Sequence, residues 1–190
     1  MEMAKEWTIL AISGSLRQQS SNTALMHAIM GLSEDSMQFK EYTGLVDLPH
    51  FNPDLDKENV GPKAVELFRK QLREADGVLI CTPEYGNGVP GVLKNALDWL
   101  VSSGELVGKP TAVISASPSP MGGDKAHASL LLTLHMIHAE IVTGSTMIIP
   151  HITLKLNVDE SSITSPALKD EITQMLEALT LAIETKKNRD

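Results

Sequence analysis

Short apolar runs alternate along this chain with longer stretches whose apolar residues recur every three to four positions. Trp7–Ser13 is nearly continuously apolar and ends in turn residues, the pattern of a strand buried on both faces. Leu25, Met26, Ile29, Met30 and Leu32 then keep helical spacing and predict a helix over 22–33. Met37–Tyr42 alternates and predicts a second strand, its weaker pattern fitting a place nearer a sheet edge. The stretch 43–62 holds Gly44, Pro49, Pro53, Gly61 and Pro62, and reads as an irregular surface connection of more than usual length. A helix follows over 62–75, with proline in its first turn. Asp76–Thr82 is the clearest central strand after the first. Leu93, Ala96, Leu97 and Leu100 predict a helix over 92–101, and Thr111–Ser117 a fourth strand. Lys125–Ala139 reads as a helix and Glu140–Ile149 as a fifth strand kinked at Gly144, while 150–165 reads as irregular. Ser165, Pro166 and the acidic pair Asp170 and Glu171 supply cap, proline and acidic first turn for a last helix reaching Thr185.

Five strands alternating with five helices predict an α/β domain: a parallel sheet with helices on both faces. No repeat, low-complexity tract or linker divides the chain, so 1–190 is expected to form a single domain. Ligands of such sheets bind beyond the carboxyl ends of the strands, where strand order reverses. The three unusual loops follow the first, third and fourth strands, so all three are expected on one rim.

The first of these loops, Ser13-Gly14-Ser15-Leu16-Arg17-Gln18-Gln19-Ser20-Ser21-Asn22, carries chemistry suited to an anion. The N–H groups that open a helix lack partners within it, and the helix dipole favours negative charge there. Ser15, Ser20, Ser21, Asn22 and Thr23 add donors, and Arg17 a charge-assisted one. The bland alternative is an ordinary capped turn, since Ser and Asn are common caps. The loop is neither a Walker loop nor the dinucleotide fingerprint, for it lacks Gly-Lys-Ser/Thr and Gly-x-Gly-x-x-Gly.

Charge sharpens the interest in Arg17. The formal net charge is -8, which argues against nucleic-acid partners and anchoring on anionic lipid, and leaves any anion to be held by a local positive potential. One cysteine, Cys81, excludes an internal disulfide and favours a cytosolic setting. Met1–Glu6 is short and charged, without the apolar centre of a signal peptide, and no apolar run approaches membrane-spanning length.

Three stretches together carry a family resemblance: Gly14-Ser15-Leu16-Arg17-x-x-Ser20-x-Asn22; Thr82-Pro83-Glu84-Tyr85-Gly86 continuing through Pro90-Gly91-x-Leu93-Lys94-Asn95-Ala96-x-Asp98-Trp99; and Ser115-x-Ser117-Pro118-x-x-Met121-Gly122-Gly123. From residue 7 to about 150 the chain resembles the NADPH-dependent FMN reductases of flavodoxin-like fold, whose members include quinone, chromate and azo-dye reductases. That resemblance implies a three-layer sandwich with strand order 2-1-3-4-5, FMN as cofactor and NADPH or NADH as co-substrate. It implies that Ser15, Arg17, Ser20, Ser21, Asn22 and Thr23 surround the FMN phosphate. Pro83, Glu84, Tyr85, Gly86 and Asn87 would run along the ribityl chain and ring, with Ser117, Gly122 and Gly123 approaching the ring's other side. It also implies a ping-pong transfer of electrons to a small-molecule acceptor (quinone, azo dye, metal oxyanion or free flavin) and a homodimer or homotetramer. Lys125 follows Asp124 where related sequences often carry arginine after the paired glycines, which bears on NADPH against NADH preference.

The cofactor carries this chemistry, so no catalytic side chain is assigned. Glu84 is at most a candidate for protonation, and a loop carboxylate more commonly caps or pairs. Cys81 reads as a buried structural cysteine, and Met26, Met30, Met136 and Met175 as core or interface filler. Trp99 reads as core or as a subunit contact. His135 and His138 are too few for a zinc site, and no metal is assigned. The rivals are a flavodoxin-type electron carrier without NAD(P)H turnover, a hydrolase, and a flavin-dependent regulatory protein. The carrier family has a different phosphate loop, and the hydrolase would need Gly-x-Ser-x-Gly, which is missing.

Overall fold

Alternation along each strand sends neighbouring residues to opposite faces, and the computed structural model, which describes residues 6–33, 36–57 and 61–189, shows both faces covered. The strands β1 (Trp7–Ser13), β2 (Met37–Tyr42), β3 (Gly77–Thr82), β4 (Pro110–Ala116) and β5 (Glu140–Ile149) form one sheet in the order β2-β1-β3-β4-β5. Every neighbouring pair in it is parallel. The helices are α1 (Ser21–Leu32), α2 (Lys63–Glu74), α3 (Gly91–Asp98), α4 (Asp124–Met136) and α5 (Pro166–Lys187). This is the flavodoxin-like order.

Strand order dictates the layers. The connection from β1 to β2 runs one way along the sheet; that from β2 to β3 runs back over β1. Right-handed crossovers therefore put α1 on one face and α2, α3 and α4 on the other. Trp7, Ile9 and Ala11 of β1 accordingly pack with α1 and α5, including Leu25, Ile29, Ile172 and Leu179. Leu10 and Ile12 pack on the opposite side with Phe68, Leu72, Leu97 and Leu130. Every residue of β3 and β4 is buried, as central strands of such a sheet must be, whereas β2 and β5 expose part of theirs at the edges.

The elements otherwise follow the sequence pattern, with local differences. The chain leaves α3 at Asp98, so Trp99 and Leu100 are buried in turns beyond it and not on a longer helix. α4 stops at Met136, and His138, left-handed at φ 58°, turns the chain toward β5. His135 and His138 therefore do not share a helical face. The kink in β5 is present: the β4–β5 register shifts between Thr111 and Val113, opposite the left-handed Gly144. Ser165 caps α5 by accepting from Leu168 N–H at 3.4 Å, but its first turn carries no acidic residue, because Asp170 and Glu171 fall beyond it. The tail is more ordered than its composition predicts. Leu156–Asn157 (β6) and Ser162–Ile163 (β7) form a small antiparallel hairpin, with Leu156 and Ile163 packed on the α1/α5 core. The readings at residues 1–5 and 58–60 lie outside the described residues. No helix among the described residues is long and apolar enough to cross a membrane.

Candidate functional site

Beyond β1 and β3 the strand order reverses, and there the chain is drawn tight. Gly14 N–H donates to the Cys81 carbonyl at 2.8 Å, joining the first turn to β3. A Cβ on Gly14 would stand 2.9 Å from Thr82 Oγ1 and 3.0 Å from Leu93 Cδ2, so this approach requires glycine. The turn then builds a ladder of hydroxyls. Ser13 Oγ bonds Thr23 Oγ1 at 2.7 Å; Ser15 N–H donates to Ser13 Oγ at 3.4 Å; Arg17 N–H donates to Ser15 Oγ at 3.3 Å. Ser20 caps α1, its Oγ accepting from Thr23 N–H at 3.3 Å. The N–H groups of Ser21 and Asn22 open the helix with no carbonyl behind them.

A cup of about 160 Å³ results, with Ser13, Ser15, Arg17, Thr23, Glu41 and Tyr42 on its wall. Arg17 is exposed and forms no ion pair among the described residues. Glu41 is engaged with His27 at 2.9 Å, one helical turn below Thr23. Burial, and secondarily the Asp47 charge, push the Tyr42 phenol up to about 12, so it stays neutral. Hydroxyls, free helix N–H groups and one unpaired guanidinium make a donor set that suits a phosphate. The cup opens at Leu16 and Leu45 into an apolar cleft of about 720 Å³ floored by Val46, Phe51 and Val92.

The loop after β3 borders the same opening. Tyr85 and Gly88 exchange backbone hydrogen bonds of 3.1 Å, with Gly86 and Asn87 between them at φ 56° and 59°, a type I′ turn. Tyr85 is half exposed, and its hydroxyl lies 3.3 Å from Ser15 Oγ, linking the second loop to the first. After β4, Ser117 Oγ accepts from Ser119 N–H at 3.1 Å, while Ser117 N–H donates to the carbonyl of Ile149 at the end of β5 and its C=O accepts from Ile152 N–H just beyond. The three loops thus share one rim.

Four predicted residues have side chains or Cβ positions occupied by other duties. Asn22 is buried and donates through Nδ2 to the Ala116 carbonyl at 3.0 Å, tying α1 to the end of β4; its Oδ1 is buried without a partner. The Glu84 carboxylate accepts from Lys125 N–H at 2.9 Å and Ala126 N–H at 3.0 Å, so it caps α4. Gly122 is left-handed at φ 64°, and a Cβ there would meet Ile148 Cγ2 at 2.6 Å. Gly123, at φ 85°, starts α4 close to Glu84 and Ser115. Packing and backbone conformation thus suffice to require both glycines.

Sequence reasoning missed what Asn95 and Trp99 do. Asn95 accepts from Phe51 N–H at 2.8 Å and donates to the Pro49 carbonyl at 3.0 Å; Trp99 Nε1 donates to the same carbonyl at 2.9 Å. They pin the long connection beside the cleft, with Phe51 edge-on to Trp99. Cys81 is fully buried, and burial pushes its thiol up, which leaves it inert.

The sequence pattern of the NADPH-dependent FMN reductases matches residues 7–153. A quinone reductase of Escherichia coli is 30% identical over 178 residues, covering 93% of this chain and 95% of the relative. An NAD(P)H-dependent FMN reductase of Pseudomonas aeruginosa is 40% identical over 134 residues, covering 70% of this chain and 71% of the other. Among solved structures, the flavoenzyme NAD(P)H:(acceptor) oxidoreductase of Paracoccus denitrificans superposes with a TM-score of 0.84 at 30% identity, over 94% of this chain and 98% of its own.

Proposed function

Since this chain belongs to the NADPH-dependent FMN reductase family, an oxidoreductase family that works with FMN and NAD(P)H, we propose that it passes electrons from NAD(P)H through FMN to a quinone-class acceptor. FMN, when bound, would supply the two-electron redox chemistry between NAD(P)H and the acceptor. The protein's part is to bind, orient and expose.

The observation that carries this reading is the cup at the β1–α1 turn. A phosphate brings roughly -1.5 to -2 charges at neutral pH. Ser15, Ser20, Ser21 and Thr23 meet it with hydroxyls or helix N–H groups, and Asn22 with its N–H. Arg17 supplies the positive charge that an acidic protein otherwise lacks there. Pro83, Glu84, Tyr85, Gly86 and Asn87 line the path from the cup through their backbone and the Tyr85 side chain, and Ser117, Gly122 and Gly123 bound the far side. The wide apolar cleft offers NAD(P)H and acceptor a shared approach, on which they take turns in a ping-pong sequence. The protein acts as a homodimer or homotetramer.

Anaerobic NADPH should bleach the FMN-loaded protein, and a quinone should restore the colour and sustain steady NADPH oxidation. Bleaching without quinone turnover would overturn the acceptor assignment; parallel initial-rate lines support alternation, and intersecting lines contradict it.

A further inference from the structure

α4 opens on Gly123, a residue that offers no side chain to cap it. The cap comes instead from 39 residues upstream, since the Glu84 carboxylate takes the N–H groups of both Lys125 and Ala126 with one oxygen, Oε2. Glu84 belongs to the loop that carries Tyr85 and the Gly86-Asn87 turn. Gly123 closes the loop that carries Ser117. One side chain therefore fastens two of the three rim loops together. The two loops lie side by side there: an added Cβ on Gly123 would sit 3.5 Å from Glu84 Cβ, in ordinary contact, and it is the left-handed φ of 85° that favours glycine. The third loop joins separately, through Tyr85 OH and Ser15 Oγ.

We infer that Glu84 is a positioning residue: its carboxylate caps α4 and thereby presets the Glu84–Gly88 loop for FMN before the cofactor arrives. This deepens the FMN reading above and rests on it. The helix N-terminus attracts the carboxylate, and two charge-assisted hydrogen bonds hold it. Without them, binding must also order the loop, which lowers affinity even though no contact to FMN is removed. The role is distinct from proton transfer. A cap needs an acceptor oxygen, which glutamine retains; a proton donor or a charge acting on the ring needs the carboxyl itself.

The test compares Glu84→Ala and Glu84→Gln as apoproteins titrated with FMN by fluorescence quenching. Glu84→Ala should weaken FMN by about tenfold, the order of effect that losing a helix cap produces. Glu84→Gln should stay within about threefold of the wild type on the same scale. Amide hydrogen exchange on the apoproteins should show faster exchange at Lys125, Ala126 and Gly86–Gly88 in Glu84→Ala, restored in Glu84→Gln. Equal FMN affinity for wild type and Glu84→Ala would overturn the inference and leave the FMN reading standing. Glutamine as damaging to FMN affinity as alanine while amide exchange at Lys125 and Ala126 stays at the wild-type rate, or a shifted pH profile of turnover in Glu84→Gln, would overturn it in favour of a charge or proton acting on FMN itself. Wild-type protein that fails to take up FMN would instead sink the reading beneath it.

Discussion

Arg17→Ala isolates the charge at the cup. The side chain is exposed and forms no ion pair among the described residues, so removing it leaves the apoprotein's internal contacts intact. Its backbone N–H, which bonds Ser15 Oγ at 3.3 Å, survives the substitution, so the turn keeps its shape. Unfolding stability should therefore change by no more than about 0.5 kcal/mol. Hydrogen bonds to charged groups contribute about 1.5–3 kcal/mol, and an exposed guanidinium falls toward the lower end because water and salt screen it. The expected loss of FMN affinity is about 10- to 30-fold. Arg17→Lys should fall between, since it keeps the charge and loses the planar fork. Apoprotein titrated with FMN by fluorescence quenching reads the effect at low ionic strength. The gap between variants should shrink toward about 1 M salt, where the screening length is about 3 Å. An unchanged dissociation constant in a folded Arg17→Ala protein would refute the assignment, and so would a loss that ignores salt.

Other consequences concern the frame that holds the site. Gly14→Ala should lower stability by about 1–3 kcal/mol in urea unfolding, because its Cβ would crowd Thr82 and Leu93; an unaffected midpoint would mean that β1 and β3 can part at that turn. Arg69 is buried, donates to Asp56 at 2.7 Å and to the Trp99 carbonyl, and Arg69→Met should cost about 3–5 kcal/mol in urea unfolding by removing the cation beside Asp56, which then keeps only the Ser102 hydroxyl, and by freeing the Trp99 carbonyl. Lys109 donates to the Leu72 and Ala75 carbonyls at the end of α2, and burial, joined by the Lys186 charge, brings its pKa down to about 8. An unfolded lysine titrates near 10.4, so from about pH 8 to 10 the unfolded chain holds the extra proton and stability should rise with pH. Lys109→Met should flatten that slope in urea midpoints measured across the range.

The layers and the rim were legible because local pattern decides them. The continuous apolar runs of β1, β3 and β4 mark strands buried on both faces, and the Gly- and Pro-rich loops mark where they end. The duties of individual side chains were not legible. Asn22 reads like any polar residue of an anion loop, yet its amide reaches Ala116, a partner 94 residues away. Glu84 and α4 meet only after β4 is threaded between them. The β6–β7 hairpin has two residues per strand, too few for an alternating pattern to show, and it is held by packing on α1 and α5. Gly122 follows the same logic: sequence supplies a paired glycine, and only the neighbouring Ile148 and Pro150 show why a side chain there would collide.

A β1–α1 turn that grips a phosphate must discriminate against riboflavin, which has the same ring and ribityl chain without that group. Side-by-side titrations of the apoprotein should show FMN binding at least about 100-fold more tightly than riboflavin, as several charge-assisted hydrogen bonds require. Equal affinity for the two flavins would mean that the turn holds no phosphate.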